Sequence, residues 1–143
     1  MEGFSIKMEF KTKVAIVVAD DLKVWQKLNV VAFLTSGIIG ETEGIIGEEY
    51  KDASGQIYSP LCIQPTVILE SPRQRLPTFL GRANSRGVRV SVYIEDMFST
   101  GHDAANRMTV AQYETESLPL IGIGVRADKK RVDKIFKGAK LHG

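Results

Sequence analysis

The sequence predicts an α/β fold: a three-layer α/β/α sandwich around a mixed, mostly parallel sheet of four core strands, with a hairpin excursion. Three observations carry this reading. Short apolar segments rich in β-branched residues recur at residues 13–18, 66–69, 88–94 and 120–125, and the first, Lys13 to Val18, is continuous rather than alternating, as a strand buried on both faces is. Helix-length stretches with apolar residues at three- and four-residue spacing separate them. The composition, 43% hydrophobic and 25% charged over 143 residues, suits one packed domain over residues 1–143 and excludes a disordered chain.

The first run, Lys13 to Val18, ends at Asp20-Asp21. A helix then runs from Val24 to Gly37, with Leu28, Val31, Ala32 and Thr35 as its inward stripe and Ser36-Gly37 as its stop. Gly-Ile-Ile-Gly-Glu occurs twice, at 37–41 and 44–48, but two copies cannot build a solenoid, which needs three stacked units or more. Asp52-Ala53-Ser54-Gly55 is turn chemistry between Glu48-Glu49-Tyr50 and Gln56-Ile57-Tyr58, so a polar hairpin is expected there. After the strand Thr66 to Leu69, Ser71-Pro72 opens a helix that reaches about Arg86, and Pro77 delays its start or kinks it. Gly87 stops it. Val88 to Ile94 is the next strand, Asp103 to Glu116 a helix, Leu120 to Val125 a strand, and residues 129–137 a closing helix with Val132, Ile135 and Phe136 inward. Strands joined by helix-length connections favour a parallel sheet covered on both faces.

The single Cys62 cannot form an internal bridge and sits between Leu61 and Ile63, as a buried small hydrophobe does. No run approaches the ~20 apolar residues that span a bilayer, and Met1 to Lys13 has no continuous signal-peptide core, so a cytoplasmic protein is expected. Charge is uneven: residues 1–72 carry 6 basic and 10 acidic side chains, residues 73–143 carry 13 and 7. The surplus gathers at residues 126–143, where Lys130, Arg131 and Lys134 lie on the closing helix. Such a segment can contact phosphate or form a solvated face.

Gly122-Ile123-Gly124-Val125-Arg126-Ala127 matches G-x-G-x-x-A by letter. Its glycines lie within a strand and too few residues follow, so no dinucleotide cofactor is expected. The two histidines, His102 and His142, give no familiar metal-ligand spacing, and no metal is expected. The richest polar cluster runs from Glu95 to Asp103, with Asn106 and Arg107 following on the next helix. It leaves the carboxyl end of a strand, where open α/β sheets place ligands. The first strand exits likewise into Asp20, Asp21 and Lys23. Lys23, Asp96, Thr100 and His102 are therefore the catalytic candidates, able to activate water and steady an oxyanion if the two exits share a crevice. Asp103, Asn106, Arg107, Lys130, Arg131 and Lys134 are the substrate-binding candidates. The alternative is structural: Thr100-x-x-Asp103 as a capping box or Asp103 as the cap, Asp103 and Arg107 as an i,i+4 ion pair, Glu95 and Asp96 as solvated acids.

Two blocks carry a resemblance. Lys13 to Lys23, a buried strand followed by Asp21-Leu22-Lys23, is similar to the opening of peptidyl-tRNA hydrolase II, and Val132-Asp133-Lys134-Ile135 with Lys140-Leu141 resembles its closing helix and tail. Over nearly the whole chain the sequence resembles the uncharacterised DUF-two-thousand family, small bacterial proteins assigned to that fold. Glu95-Asp96-Met97-Phe98, Thr100-Gly101-His102-Asp103 and Asn106-Arg107 carry that likeness. The resemblance implies a peptidyl-tRNA hydrolase II-like fold and hydrolysis of peptidyl-tRNA or a related ester. Lys23 alone transfers by motif; helix one bears no histidine and the hydrolase's Asp-Ala-Gly-x-Thr segment is absent. Two functions follow: such a hydrolase, or a non-enzymatic small-ligand-binding or interaction module. The expected partners are tRNA or a small anionic ligand, without a membrane, and a second copy of the chain in a homodimer.

Overall fold

The computed structural model describes residues 9–143; most of the stretch considered above as a leader lies outside them. The main sheet has five strands. Strand β1 (Thr12–Ala19) lies at its centre, with β2 (Tyr50–Lys51) and β3 (Ile57–Tyr58) forming a separate small hairpin, and β4 (Thr66–Ser71), β5 (Val90–Ile94), β6 (Leu120–Asp128) and β7 (Lys140–Leu141) completing the sheet in the order β5-β6-β1-β4-β7. Four helices accompany it: α1 (Val24–Glu41), α2 (Leu76–Ser85), α3 (Asp103–Val110) and α4 (Lys129–Ile135). No helix among the described residues is long and apolar enough to cross a membrane.

The sheet departs from the expected mostly parallel, four-stranded one. Only β1 and β4 pair in parallel; β1 with β6, β5 with β6 and β4 with β7 are antiparallel. A helix-length connection does not force a crossover. The segment between β5 and β6 contains α3, yet Ile94 at the end of β5 pairs with Leu120 at the start of β6, so the chain leaves and re-enters at one edge. The fifth strand, β7, is a two-residue pairing of Leu141 with Leu69 and Lys140 with Glu70, too short for any periodicity to signal.

Pro77 falls in the first turn of α2, where its missing N–H costs nothing, and a 3-10 turn at Arg73–Arg75 precedes it. Helix α3 stops at Val110 rather than Glu116, and α1 continues past Gly37 to Glu41. The buried stripe of α1 is Val30, Leu34 and Ile38, while Leu28 is 67% exposed. Apolar residues occur on every side of this helix, so spacing could not select the inward face.

The glycines of β6 select it. A Cβ at Gly122 would stand 2.5 Å from Val30 Cγ1 and 3.0 Å from Leu34 Cδ1, and one at Gly124 would stand 2.8 Å from Ser91 Oγ and 3.1 Å from Ile38 Cδ1. These glycines bring α1 down onto the sheet. Alternation turns Ile121, Ile123 and Val125 to the opposite face, where they are fully buried. Helices α2 and α4 pack against β6 and against each other, Phe79 meeting Phe136 edge to face at 5.7 Å.

Gly122→Ala should therefore destabilise the fold by about 1–3 kcal/mol, the usual cost of overpacking, because Val30 is β-branched and has no free rotamer in a helix to yield with. Gly40→Ala, in α1 with nothing within 4 Å of the added Cβ, should instead be neutral or gain up to about 1 kcal/mol. Urea unfolding of both variants measures the contrast.

Candidate functional site

Strand directions fix where loops meet. β4 pairs parallel to β1, and β5 runs the same way because two antiparallel pairings separate it from β1. The carboxyl ends of β1, β4 and β5 thus share one edge of the sheet, although β6 stands between β1 and β5. Arg73, just past β4, ties the exits of β1 and β5 together: its guanidinium lies 3.3 Å from Asp21 Oδ1 and also pairs with Glu95. Burial works against its charge, but Asp21 and Glu95 outweigh that and raise its pKa. The sequence reading passed over Arg73; an arginine two residues beyond a buried strand, with acids after the other strands, was the available signal.

Beside this edge a groove opens between α1 and α3 over β5. Four aromatic rings form a continuous row along it. Trp25 of α1 meets Phe98 edge-on at 5.8 Å, Phe98 lies 5.2 Å from Tyr93 of β5, and Tyr93 lies 5.7 Å from Phe33 of α1. Trp25 is 58% and Phe33 52% exposed, so the outer members present ring faces to solvent. The upper chamber, about 310 Å³, is lined by this row with Asn29, Thr100, His102 and Asn106. A lower chamber of about 660 Å³ shares Phe33, Tyr93, Met97, Asp103 and Asn106 with it and continues toward Ser91 and Val110. Tyr93 is buried, which pushes its hydroxyl pKa up, and Asn29 hydrogen-bonds to it.

The family model of DUF2000, described as a protein of unknown function, matches residues 12–143. The chain belongs to the DUF2000 family. A solved structure of a protein of unknown function from Agrobacterium tumefaciens strain C58 is similar to it, with 50% sequence identity, a TM-score of 0.92, and coverage of 94% of this chain and 100% of that one. No curated protein matches the chain.

Within this DUF2000 protein, the predicted site residues divide into three groups. Thr100, His102, Asp103 and Asn106 line the upper chamber, and Asp103, Asn106 and Arg107 the lower one. His102, rather than Asp103, caps α3: its Nδ1 accepts the Ala105 N–H at 3.2 Å. In the neutral ring this leaves the proton on Nε2, as a donor. Asp103 follows in the first turn and pairs with Arg107 four residues on. Thr100 Oγ1 lies 3.0 Å from the Met97 carbonyl and also bonds the Asn106 side chain. That pins one end of the Asn106 amide and leaves the other to the groove.

The second group stands near the edge but outside the groove. Lys23 is exposed at the start of α1, its N–H donating to Gln26 Oε1 at 3.0 Å; it lines neither chamber. Asp96 accepts the Tyr113 hydroxyl at 2.8 Å. The third group is remote. Asp128, which precedes α4, pairs with Thr12 at the other end of β1, about 23 Å from Ala19 at 3.3 Å per strand residue. Lys130 and Arg131 begin α4 there, so the closing helix does not bring them to Lys23; Lys130 and Lys134 are exposed and Arg131 pairs with Asp128. Among the described residues no three metal-ligating side chains gather.

The Asp96 contact has a measurable consequence. The hydrogen bond to Asp96 raises the Tyr113 pKa above its ordinary 10.0. A raised pKa means the pair stabilises the fold fully below pH 10 and loses that contribution as pH climbs through the shifted value. Asp96→Asn should bring one tyrosine back toward ordinary titration, read as absorbance at 295 nm against pH. An unchanged curve would place Asp96 away from Tyr113 in solution.

Proposed function

We propose that this DUF2000 protein binds a small planar heteroaromatic ligand in the groove between α1 and α3, as a ligand-binding module rather than a hydrolase. The observation that carries the reading is the row Trp25, Phe98, Tyr93 and Phe33 along one wall, with polar ends of Asn29, His102 and Asn106 beside it. Flat rings stack on such faces for about 1–3 kcal/mol each, and the amide and imidazole groups meet the polar edge of the ring.

A hydrolase needs a base beside a nucleophile or water. One oxygen of the Asp96 carboxylate is engaged by Tyr113 and Asp96 lines neither chamber, the Nδ1 lone pair of His102 is engaged by Ala105, and Lys23 stands outside the groove. The peptidyl-tRNA hydrolase II likeness thus supports a shared scaffold more than a shared reaction. A cytoplasmic setting accords with the free, half-buried Cys62.

Trp25 is the only tryptophan, so its emission reports directly on the wall. Titration with adenosine or guanosine should quench it saturably, with glucose without effect, and Phe98→Ala should weaken the response about tenfold, one stacking contact's worth. Unchanged Trp25 emission with both nucleosides, or turnover of peptidyl-tRNA that Lys23→Ala abolishes, would sink the reading.

A further inference from the structure

Where the groove passes Gly37 and Ser91 toward the opposite end of the sheet, its walls change character. A cavity of about 390 Å³ there lies between the carboxyl end of α1, the start of β5 and the end of β6, and three arginines are among the residues that line it: Arg89, Arg126 and Arg131. Two of them are already paired. Arg89 sits 2.9 Å from Glu41, which also lines the cavity, and Arg131 binds Asp128.

Arg126 is different. It projects from within β6, half-buried, and its Nε donates to Gln64 Oε1 at 3.1 Å. Gln64 is only 6% exposed and is itself held in place: its Nε2 donates to the Thr12 carbonyl at 3.3 Å, and Thr12 Oγ1 lies 3.4 Å from Oε1. The partner that fixes the guanidinium is therefore neutral. No ion pair among the described residues includes Arg126. Its two Nη groups have no hydrogen-bond acceptor among the described residues and are not sealed from solvent. Arg126 itself lines the cavity.

A partly desolvated cation balanced only by a carboxamide is an unfavourable arrangement until an anion arrives. With Nε tied and both Nη groups free, the planar fork is held in one orientation, as two-point recognition of an oxyanion requires. We propose that this cavity is an anion-binding site for phosphate or a small phosphomonoester, with Arg126 as its fixed donor and Arg89 and Arg131 as mobile ones drawn from their carboxylates. The charge balance allows it: Glu41 and Asp128 offset two of the three guanidinium groups, leaving one net positive charge for the ligand. The site does not depend on what the aromatic end of the groove binds.

The test is NMR of the arginine Nε–Hε signals of the full chain, titrated with inorganic phosphate at constant ionic strength. The Arg126 signal should shift and saturate. Arg126→Gln should abolish the saturable response, and Lys51→Gln, which removes an equal charge from the exposed hairpin, should preserve it. Gln64→Glu serves where Arg126→Gln fails to fold: it keeps the hydrogen bond from Arg126 Nε, gives up the one to the Thr12 carbonyl, supplies the missing countercharge, and should weaken phosphate about tenfold or more while circular dichroism stays native. Absence of saturation in the wild type, full phosphate affinity in a folded Gln64→Glu protein, or a response lost instead on replacing Lys130 and Lys134 would overturn the assignment.

Discussion

The close approach of α1 to β6 sets the rest of the molecule. Gly122 and Gly124 leave no side chain between strand and helix, so Val30, Leu34 and Ile38 descend to the backbone of the sheet. Fixing that face of α1 also fixes the others: Trp25, Asn29 and Phe33 are carried to the side facing β5 and α3. Both ends of the groove inherit this geometry. The upper wall takes its outer rings from α1, and the arginine-lined cavity takes Gly37, Ile38 and Glu41 from the same helix's last turns. Letters that match a dinucleotide fingerprint thus serve helix packing.

Electrostatics at the upper edge works by cross-linking rather than by display. Asp21 and Glu95 leave different strands, and without a cation between them their charges would repel and loosen both loops. Arg73 meets both. The exposed carboxylates make each contact modest by itself, but the three groups act together on one edge, and the loop from Glu95 to Ser99 that they anchor bears Phe98 of the aromatic row.

How much was legible follows from these contacts. The run Lys13 to Val18 declared β1 because a strand buried on both faces leaves a continuous apolar record, and the structure extends it only to Thr12–Ala19. Leu120 to Val125 declared β6 for the same reason. Strand direction left no such record, since a connection long enough for a helix can return to the edge it left. Gly37 read as a stop but lies inside α1, its absent Cβ facing Ser91 at 3.6 Å. The polar block from Glu95 to Asp103 with Asn106 and Arg107 was visible, and of it Thr100, His102, Asp103, Asn106 and Arg107 line the groove while Glu95 turns to Arg73 and Asp96 to Tyr113. Of its aromatic wall only Trp25, close to Lys23, suggested itself at this mouth; Phe33, Tyr93 and Phe98 are scattered singly over three elements and only the fold aligns them with it. Arg126 was counted among the charges of the tail, whereas its place inside β6 next to buried Gln64 sets it apart.

The difference between binding and catalysis in this scaffold rests on which polar atoms remain uncommitted. Catalytic groups need a lone pair or a proton poised toward the substrate; here Asp96 directs one carboxylate oxygen at the Tyr113 hydroxyl and His102 its Nδ1 lone pair at the Ala105 N–H. Beside the groove stand the imidazole Nε2–H, the far end of the Asn106 amide, the exposed rings of Trp25 and Phe33, and the Asp103 carboxylate paired with Arg107. On the proposed reading such groups recognise a ligand without changing it. Chemistry in this groove would have to recruit a group now used structurally, and releasing His102 from the start of α3 would leave the Ala105 N–H without its acceptor, a loss of about 1 kcal/mol for a helix cap. On the proposed reading the polar residues serve as caps and rims, with recognition as their common task.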